Sequence, residues 1–204
     1  MRCGRNVSRI INQLLVVTIS LGLSGTSKAS TGIPWSPELL AWYECGGKVA
    51  SEKTEPGHVK AAMYALGTES VDTSPEFLML AASVMSAESG FDKHAISPSG
   101  AIGLMQVTII GAKEAAIQCR LPYARGVNDS VLLARLMDSR ANVKYGTCLL
   151  RYYLDQVKGN HTLALVLYNG GYAQLTRFLN TGTLTKETQV YVLRVQSLFG
   201  RCTQ

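Results

Sequence analysis

This sequence of 204 residues has little of several features that define common protein classes. Charged residues make up only 17% of it, which argues against a disordered chain. Its three histidines, His58, His94 and His161, show no ligand spacing, and it has no C-x-x-C pair, so a zinc or thioredoxin-like motif is disfavoured. No sustained alternation of polar and apolar residues occurs. We therefore predict a mainly α fold without a metal or other cofactor.

The chain also lacks an apolar run of about 20 residues, the length that a membrane-spanning helix requires. The stretch from Ile10 to Leu23 is mostly apolar, and its uninterrupted part is about 11 residues long, which is typical of a signal-peptide core. Arg2, Arg5 and Arg9 precede it, and small residues around Ala29 offer a cleavage site. We predict that residues 1–29 are a signal peptide. The protein would then be periplasmic or secreted, with no stable membrane anchor after cleavage.

Cleavage would change the charge and the cysteine count. The formal net charge is +6, and four of the basic residues lie in the predicted signal peptide, which leaves +2 on the mature chain. The basicity is therefore a targeting feature and does not indicate nucleic-acid binding. Four cysteines remain, and an even number in an exported protein suggests two disulfides among three pairings, or else four buried thiols. We favour the pairings Cys45–Cys202 and Cys119–Cys148.

Breaker residues and helical periodicity divide the rest of the chain. We predict an N-terminal helical extension packed on the core over residues 30–73, with glycines 46 and 47 starting a loop between two short helices. The catalytic domain would cover residues 74–204. Its first helix is predicted to begin at Ser74-Pro75 and to end near Gly90, and it is apolar on nearly all sides, so it should be central in the fold. Further helices are predicted over residues 110–119, 130–137, 141–157, 162–168, 172–179 and 187–199.

Glu88 lies at the end of that central helix. At about 100° per residue it falls at the edge of the apolar face formed by Leu78, Ala81, Ala82 and Met85. A carboxyl group beside apolar atoms should have a raised pKa, as a general acid near neutral pH requires. On this pattern alone, a solvated carboxylate at a helix end is the more common interpretation.

The residues around Glu88 change that interpretation. Glu88 to Phe91, followed by Ala95, Ser97 and Gly100 to Gln106 (G-A-I-G-L-M-Q), resemble the E-S-x-[FY]…A…S…G-A-x-G-L-M-Q signature of the soluble lytic transglycosylase family. Further segments resemble that family in the same order, over Asn142 to Tyr152, Leu167 to Gly171 and Glu187 to Val195. The chain departs from the pattern in having no proline after Gln106 and a leucine at position 167 where an alanine is usual.

The resemblance implies a lysozyme-like transglycosylase domain with Glu88 as the catalytic residue. Substrate binding is implied for Ser97, Met105, Gln106, Tyr168, Asn169 and Glu187. The implied substrate is the glycan strand of peptidoglycan, cut between MurNAc and GlcNAc with formation of 1,6-anhydro-MurNAc ends. A secretion, pilus or conjugation apparatus is a candidate partner because the protein is short.

Two alternatives from other classes stay open at this point. A hydrolytic lysozyme would use water where the transglycosylase uses the 6-hydroxyl of the sugar. A non-catalytic peptidoglycan-binding protein would not need the acid at position 88. The motif supplies one carboxylate where most glycosidases use two, so the acetamido group of the substrate would have to act in place of the second.

Overall fold

A computed structural model describes residues 37–121 and 128–204 of the chain. The predicted signal peptide lies outside the described residues. Within them, eight helices form the fold and no strand is present, which confirms the mainly α prediction. The helices are α1 (Pro37–Val49), α2 (Pro56–Glu69), α3 (Pro75–Ser89), α4 (Ile109–Gln118), α5 (Asp129–Leu136), α6 (Ser139–Gln156), α7 (His161–Thr181) and α8 (Lys186–Cys202). In these two segments, no helix combines the length and the apolar character needed to cross a membrane.

Helix α3 is the centre of the fold, as its composition predicts. It begins at Pro75, ends before Gly90, and is buried over most of its length from Phe77 to Ala87. It packs between α1 and α8, while α6 packs against α2, α4 and α7. A single apolar core contains residues from every one of these helices. The C-terminal end of α3, which carries Glu88, is thereby held between several elements of the fold.

Most helix boundaries follow from local chemistry. Five of the eight helices begin after a side chain that accepts a hydrogen bond from a first-turn backbone N–H, and these capping residues are Thr108, Asn128, Asp138, Asn160 and Thr185. Such a cap satisfies a donor that would otherwise lack a partner, and it contributes about 1 kcal/mol. Ser74 occupies the capping position of α3 in an extended conformation, but its side chain makes no capping hydrogen bond.

The prediction of a loop at Gly46 and Gly47 is wrong, because α1 continues through both residues to Val49. A Cβ atom at Gly46 would lie 2.5 Å from the Cγ atom of Met63 in α2. The glycine therefore allows α1 and α2 to approach closely, and the tertiary packing outweighs its low helix propensity.

A kink divides α7 where two glycines predicted a break. Gly171 has φ 66° and ψ −173°, a conformation that is readily accessible only to glycine. The residues from Ala164 to Leu167, before the kink, are buried in the core, whereas Tyr172 and Leu179, after it, are exposed.

Two disulfides link helices of the fold, and their pairing is the one favoured from the sequence. Cys45–Cys202 joins α1 to the end of α8, and its Cα atoms are 4.7 Å apart. Cys119–Cys148 joins the end of α4 to α6. Because α1 is bonded to α8 and packs on α3, the described part of the predicted extension, residues 37–73, shares the core of the catalytic region. The domain boundary at residue 74 stays a prediction.

Candidate active site

Glu88 lies in the last turn of α3 and is half-buried. Burial removes water from its carboxyl group and raises the pKa from 4.5 to about 7. Two smaller effects lower the pKa, namely a hydrogen-bonding interaction with Tyr191 and the positive charge of Arg194. The position therefore provides a carboxylic acid that is partly protonated at neutral pH.

Helix α8 supplies the two groups that favour the ionised form of Glu88. Tyr191 is buried, and the interaction of its hydroxyl with the carboxyl group lowers the pKa of Glu88. The Arg194 guanidinium donates from Nη2 to the carbonyl oxygen of Ser86, at 3.4 Å, in the last turn of α3. Arg194 is thus held beside the helix end that carries Glu88.

Tyr168 approaches Glu88 from α7. Burial raises the pKa of its hydroxyl well above 10, and the negative charge of Glu88 adds to that increase. The hydroxyl donates a hydrogen bond of 2.9 Å to the carbonyl oxygen of Met105. The structure therefore brings three parts of the sequence motif together around one carboxyl group.

The segment after α3 is a compact loop fixed by side chains. Ser89 donates through Oγ to the carbonyl oxygen of Leu104 at 2.8 Å, which ties the loop to the end of α3. Gln106 has a positive φ of 46°, and its Nε2 donates to the carbonyl oxygens of Ala95 and Gly103, each at 3.0 Å. Both amide hydrogens of Gln106 are thereby used, and Oε1 is left as an acceptor.

Asn142 in α6 is fully buried, and its side chain holds this loop through hydrogen bonds. Its Oδ1 accepts from the backbone N–H of Met105 at 2.9 Å, and its Nδ2 donates to the carbonyl oxygens of Ile102, at 2.7 Å, and Leu136, at 3.0 Å. Gly103 has φ 72°, and a Cβ atom there would lie 2.6 Å from Nδ2 of Asn142. The glycine is therefore required both for the turn and for the approach of the amide.

Two cavities form a cleft that meets at Asn169. The first, of about 490 Å³, lies along α8 and is lined by Asn169, Lys186, Glu187, Val190, Tyr191 and Arg194. The second, of about 310 Å³, is lined by residues of α4 and α6, by Gln106, and by residues of α7 that include Tyr168 and Asn169. Glu88 itself lines neither cavity, but it interacts with Tyr191 and Arg194, which line the first, and with Tyr168, which lines the second.

A larger cavity, of about 730 Å³, lies between α1 and α2. None of the residues predicted to form the site lines it. The predicted site residues are therefore separate from this cavity.

The predicted site residues fall into two groups. Gln106, Tyr168, Asn169 and Glu187 line the cleft. Ser97 lies in an exposed turn, where its Oγ accepts from the backbone N–H of Ala101 at 3.0 Å and contacts Ser99 Oγ at 2.8 Å.

Met105 is buried in the core and lines neither cavity of the cleft. Its side chain has no exposed surface and packs against Gly146, where a Cβ atom would lie 2.6 Å from it. For both Met105 and Ser97, the direct contact with a sugar stays a prediction.

The sequence patterns gave no role to Tyr191 and Arg194. Both lie on one face of α8 with Glu187, at spacings of four and seven residues, so the helical periodicity of this segment was the signal that identifies them. In the described ranges, no group of three histidine, cysteine, aspartate or glutamate residues could hold a metal ion.

The family model of the transglycosylase SLT domain matches residues 71–190, which is more than half of the chain. The chain belongs to the SLT family. The matched range of this SLT chain contains Glu88, the loop up to Gln106, and the segments around Tyr168 and Glu187.

Solved structures similar to the SLT chain are lytic transglycosylases with a lysozyme-like α fold. One is an inactive mutant of the lytic transglycosylase Slt from Pseudomonas aeruginosa, in which a glutamate is replaced by glutamine. It has a TM-score of 0.51 and 26% identity, covering 61% of this chain and 20% of that one. Another is the 70 kDa soluble lytic transglycosylase SLT70 from Escherichia coli, with a TM-score of 0.54 and 18% identity, covering 96% of this chain and 42% of that one. The chain therefore spans less than half the length of these proteins.

Proposed function

We propose that the chain is a peptidoglycan lytic transglycosylase that cleaves the β-1,4 bond between MurNAc and GlcNAc and leaves 1,6-anhydro-MurNAc ends. The observation that carries this proposal is the environment of Glu88, whose pKa is raised to about 7 next to the cleft residues Tyr191 and Arg194 of an SLT domain. A carboxyl group with this pKa can donate a proton near neutral pH and accept one later in the same cycle.

In the first step the protonated Glu88 donates its proton to the glycosidic oxygen. The bond between that oxygen and C1 of MurNAc breaks, and the GlcNAc side leaves with a free hydroxyl group. The oxygen of the 2-acetamido group forms a bond to C1 and takes the place of an enzyme nucleophile.

In the second step the Glu88 carboxylate accepts the proton of the 6-hydroxyl of the same MurNAc. That oxygen bonds to C1, the bond from the acetamido oxygen breaks, and the 1,6-anhydro ring closes without consuming water. Between the two steps Glu88 is negatively charged. Arg194 and Tyr191 favour this form, because each of them lowers its pKa.

The electrostatics around Glu88 support a mechanism with one carboxylate. In a retaining glycosidase the two carboxyl groups are about 5 Å apart, and the second charge would raise the pKa of the first. Among the described residues, the charge that acts on Glu88 is that of Arg194, and it has the opposite sign. This favours assistance by the substrate over a pair of enzyme carboxylates.

The hydrogen-bond acceptors that the cleft offers to a ligand suit an acetamido N–H group. The single hydroxyl proton of Tyr168 and both amide protons of Gln106 are used within the protein, so these side chains offer lone pairs to a ligand. We propose that they accept from the acetamido N–H, which leaves its carbonyl oxygen free to attack C1. Asn169 and Glu187 would contact the sugar on the α8 side of the cleft.

The decisive experiment is mass spectrometry of the muropeptides released from purified peptidoglycan. The proposal requires anhydro ends, whereas reducing ends would assign a hydrolytic lysozyme, and a turbidity assay without any clearing would assign a binding protein. We expect Glu88→Gln to lower the rate by about 10²–10⁴-fold, the usual contribution of a general acid. Glu76→Gln, an exposed carboxylate at the other end of α3, is the matched control.

We also propose that the protein acts outside the cytoplasm. The predicted signal peptide and the two disulfides support this location, because disulfides persist in oxidising compartments. Cell fractionation with an antibody tests it, and recovery in the cytoplasm would contradict it. A role in opening the wall for a secretion, pilus or conjugation apparatus would be dropped if deletion left all such assemblies intact.

A further inference from the structure

The second cavity of the cleft contains a carboxylate that the proposed reaction does not use. Glu114 of α4 lines it, together with Tyr153 of α6 and Tyr172 of α7. The Tyr153 hydroxyl donates to Oε2 of Glu114 at 2.6 Å, a short hydrogen bond that fixes the carboxylate toward the cavity. Burial raises the pKa of Tyr153, and Glu114 adds to the increase, so Tyr153 remains a donor.

This carboxylate has no cationic partner among the described residues. The neighbouring Lys113 forms its ion pair with Asp129 instead, outside the cavity. Glu114 is half-buried, and no residue in the ranges 37–121 and 128–204 forms an ion pair with it. A cationic group of a ligand could therefore form an ion pair with Glu114.

Aromatic rings complete the walls around Glu114. The ring of Tyr153 makes edge contacts with the rings of Tyr168 and Tyr172, at centroid distances of 6.4 and 6.2 Å. Tyr172 is 47% exposed, and its hydroxyl donates to that of Tyr152 at 3.3 Å. Tyrosine rings next to a carboxylate are the combination that binds an ammonium group, through charge and through the electron-rich ring faces.

We infer that this cavity binds the free side-chain ammonium of the diamino acid residue in a peptidoglycan stem peptide. The inference rests on the proposed function, because it takes peptidoglycan as the substrate. In a stem peptide the N-terminal amine is used in the bond to the lactyl group, so the diamino acid carries the free cationic group. Cross-linking converts that amine to an amide, and Glu114 therefore selects strands whose stem peptides are not cross-linked.

The arrangement of residues in the cavity agrees with this assignment. Gln106 and Tyr168, which we assign to the acetamido group, line the same cavity as Glu114. The lactyl group is attached to the ring carbon next to the one that bears the acetamido group, so the peptide starts beside these residues. Its third residue lies about 10 Å further along an extended chain.

The test measures binding, so that it does not depend on cleavage. The Glu88→Gln protein is titrated with soluble glycan strands that carry un-cross-linked stem peptides, and with the same strands after acetylation of their free amines. We expect acetylation to weaken binding about fivefold, the size of a partly exposed ion pair with ring contacts. Adding Glu114→Gln should abolish this discrimination, whereas adding Glu76→Gln should preserve it.

The other outcomes overturn the inference. Equal affinity of the two strand preparations for the Glu88→Gln protein would show that the ammonium is not recognised. Retention of the discrimination after Glu114→Gln would place the recognition elsewhere. A loss of affinity for both preparations alike would assign Glu114 to the sugar. Failure of the wild-type protein to release anhydro-muropeptides would contradict the proposed reaction alone, since the affinity ratio is measured separately.

Discussion

Glu88→Gln should stabilise the folded protein above neutral pH while removing its proposed activity. The folded state raises the pKa of Glu88 from 4.5 to about 7, because burial disfavours the charged form. Between these values the folded protein keeps a proton that the unfolded chain has released, so the wild type loses stability as the pH rises through this window. Glutamine at this position does not ionise, and the variant avoids that loss.

The magnitude follows from the two pKa values. A raise from 4.5 to about 7 corresponds to about 3 kcal/mol once the group is ionised in both states. Near pH 4 the group is protonated in both states, and the pH-dependent part of the difference between variant and wild type should be close to zero. By about pH 8 that difference should have grown by nearly the full amount in favour of the variant.

Urea denaturation followed by circular dichroism, at about pH 4, 6 and 8 with the disulfides oxidised, measures this difference. The glutamine side chain also changes local contacts, but such effects are largely common to all three conditions. Glu76→Gln reports the effect of removing one surface carboxylate. A stability difference between Glu88→Gln and wild type that does not change with pH would refute the assignment of Glu88 as a half-buried acid with a raised pKa.

Three further predictions concern the surroundings of the site. Arg194→Met should raise the pKa of Glu88, because the guanidinium lowers that pKa in the wild type. The alkaline limb of the pH profile of kcat/KM should therefore move to higher pH, and a shift to lower pH would contradict this. Gly103→Ala should cost about 2–4 kcal/mol in urea denaturation, since the new methyl group would meet a buried asparagine amide at a positive φ, and a cost below about 1 kcal/mol would show that the loop adapts. Replacing Cys119 and Cys148 by serine should cost about 3–4 kcal/mol, as expected for a closure of 29 residues, and an unchanged urea midpoint would contradict the bond.

Much of the central fold could be predicted because its signals are local. Ser74 and Pro75 predict the start of α3, Gly90 predicts its end, and the apolar composition between them predicts its burial. That pattern also places Glu88 at the end of this helix, but on its own it favours a solvated carboxylate over the raised pKa that the structure has. The family resemblance then supplied the role, which helical spacing alone did not.

Other features depend on contacts between distant residues. The contact of Arg194 with the end of α3 joins residues that are 108 positions apart, and that of Tyr153 with Glu114 joins residues 39 positions apart. No local pattern encodes such pairs, because they arise from how the helices pack. At Gly46, a local signal gave a wrong prediction. Its low helix propensity predicts a loop, but packing against Met63 keeps this residue in α1.

Because of the kink at Gly171, the two parts of α7 should differ in how readily they tolerate amino-acid substitutions during evolution. Substitutions before it, among residues 164–167, are constrained by the fully packed interior and would affect folding. Substitutions after it at the exposed Tyr172 affect a wall of the cleft, and this side chain is not part of the core. A lineage could therefore alter which wall strands it selects by changing the second half of one helix, while the first half keeps the catalytic surroundings intact.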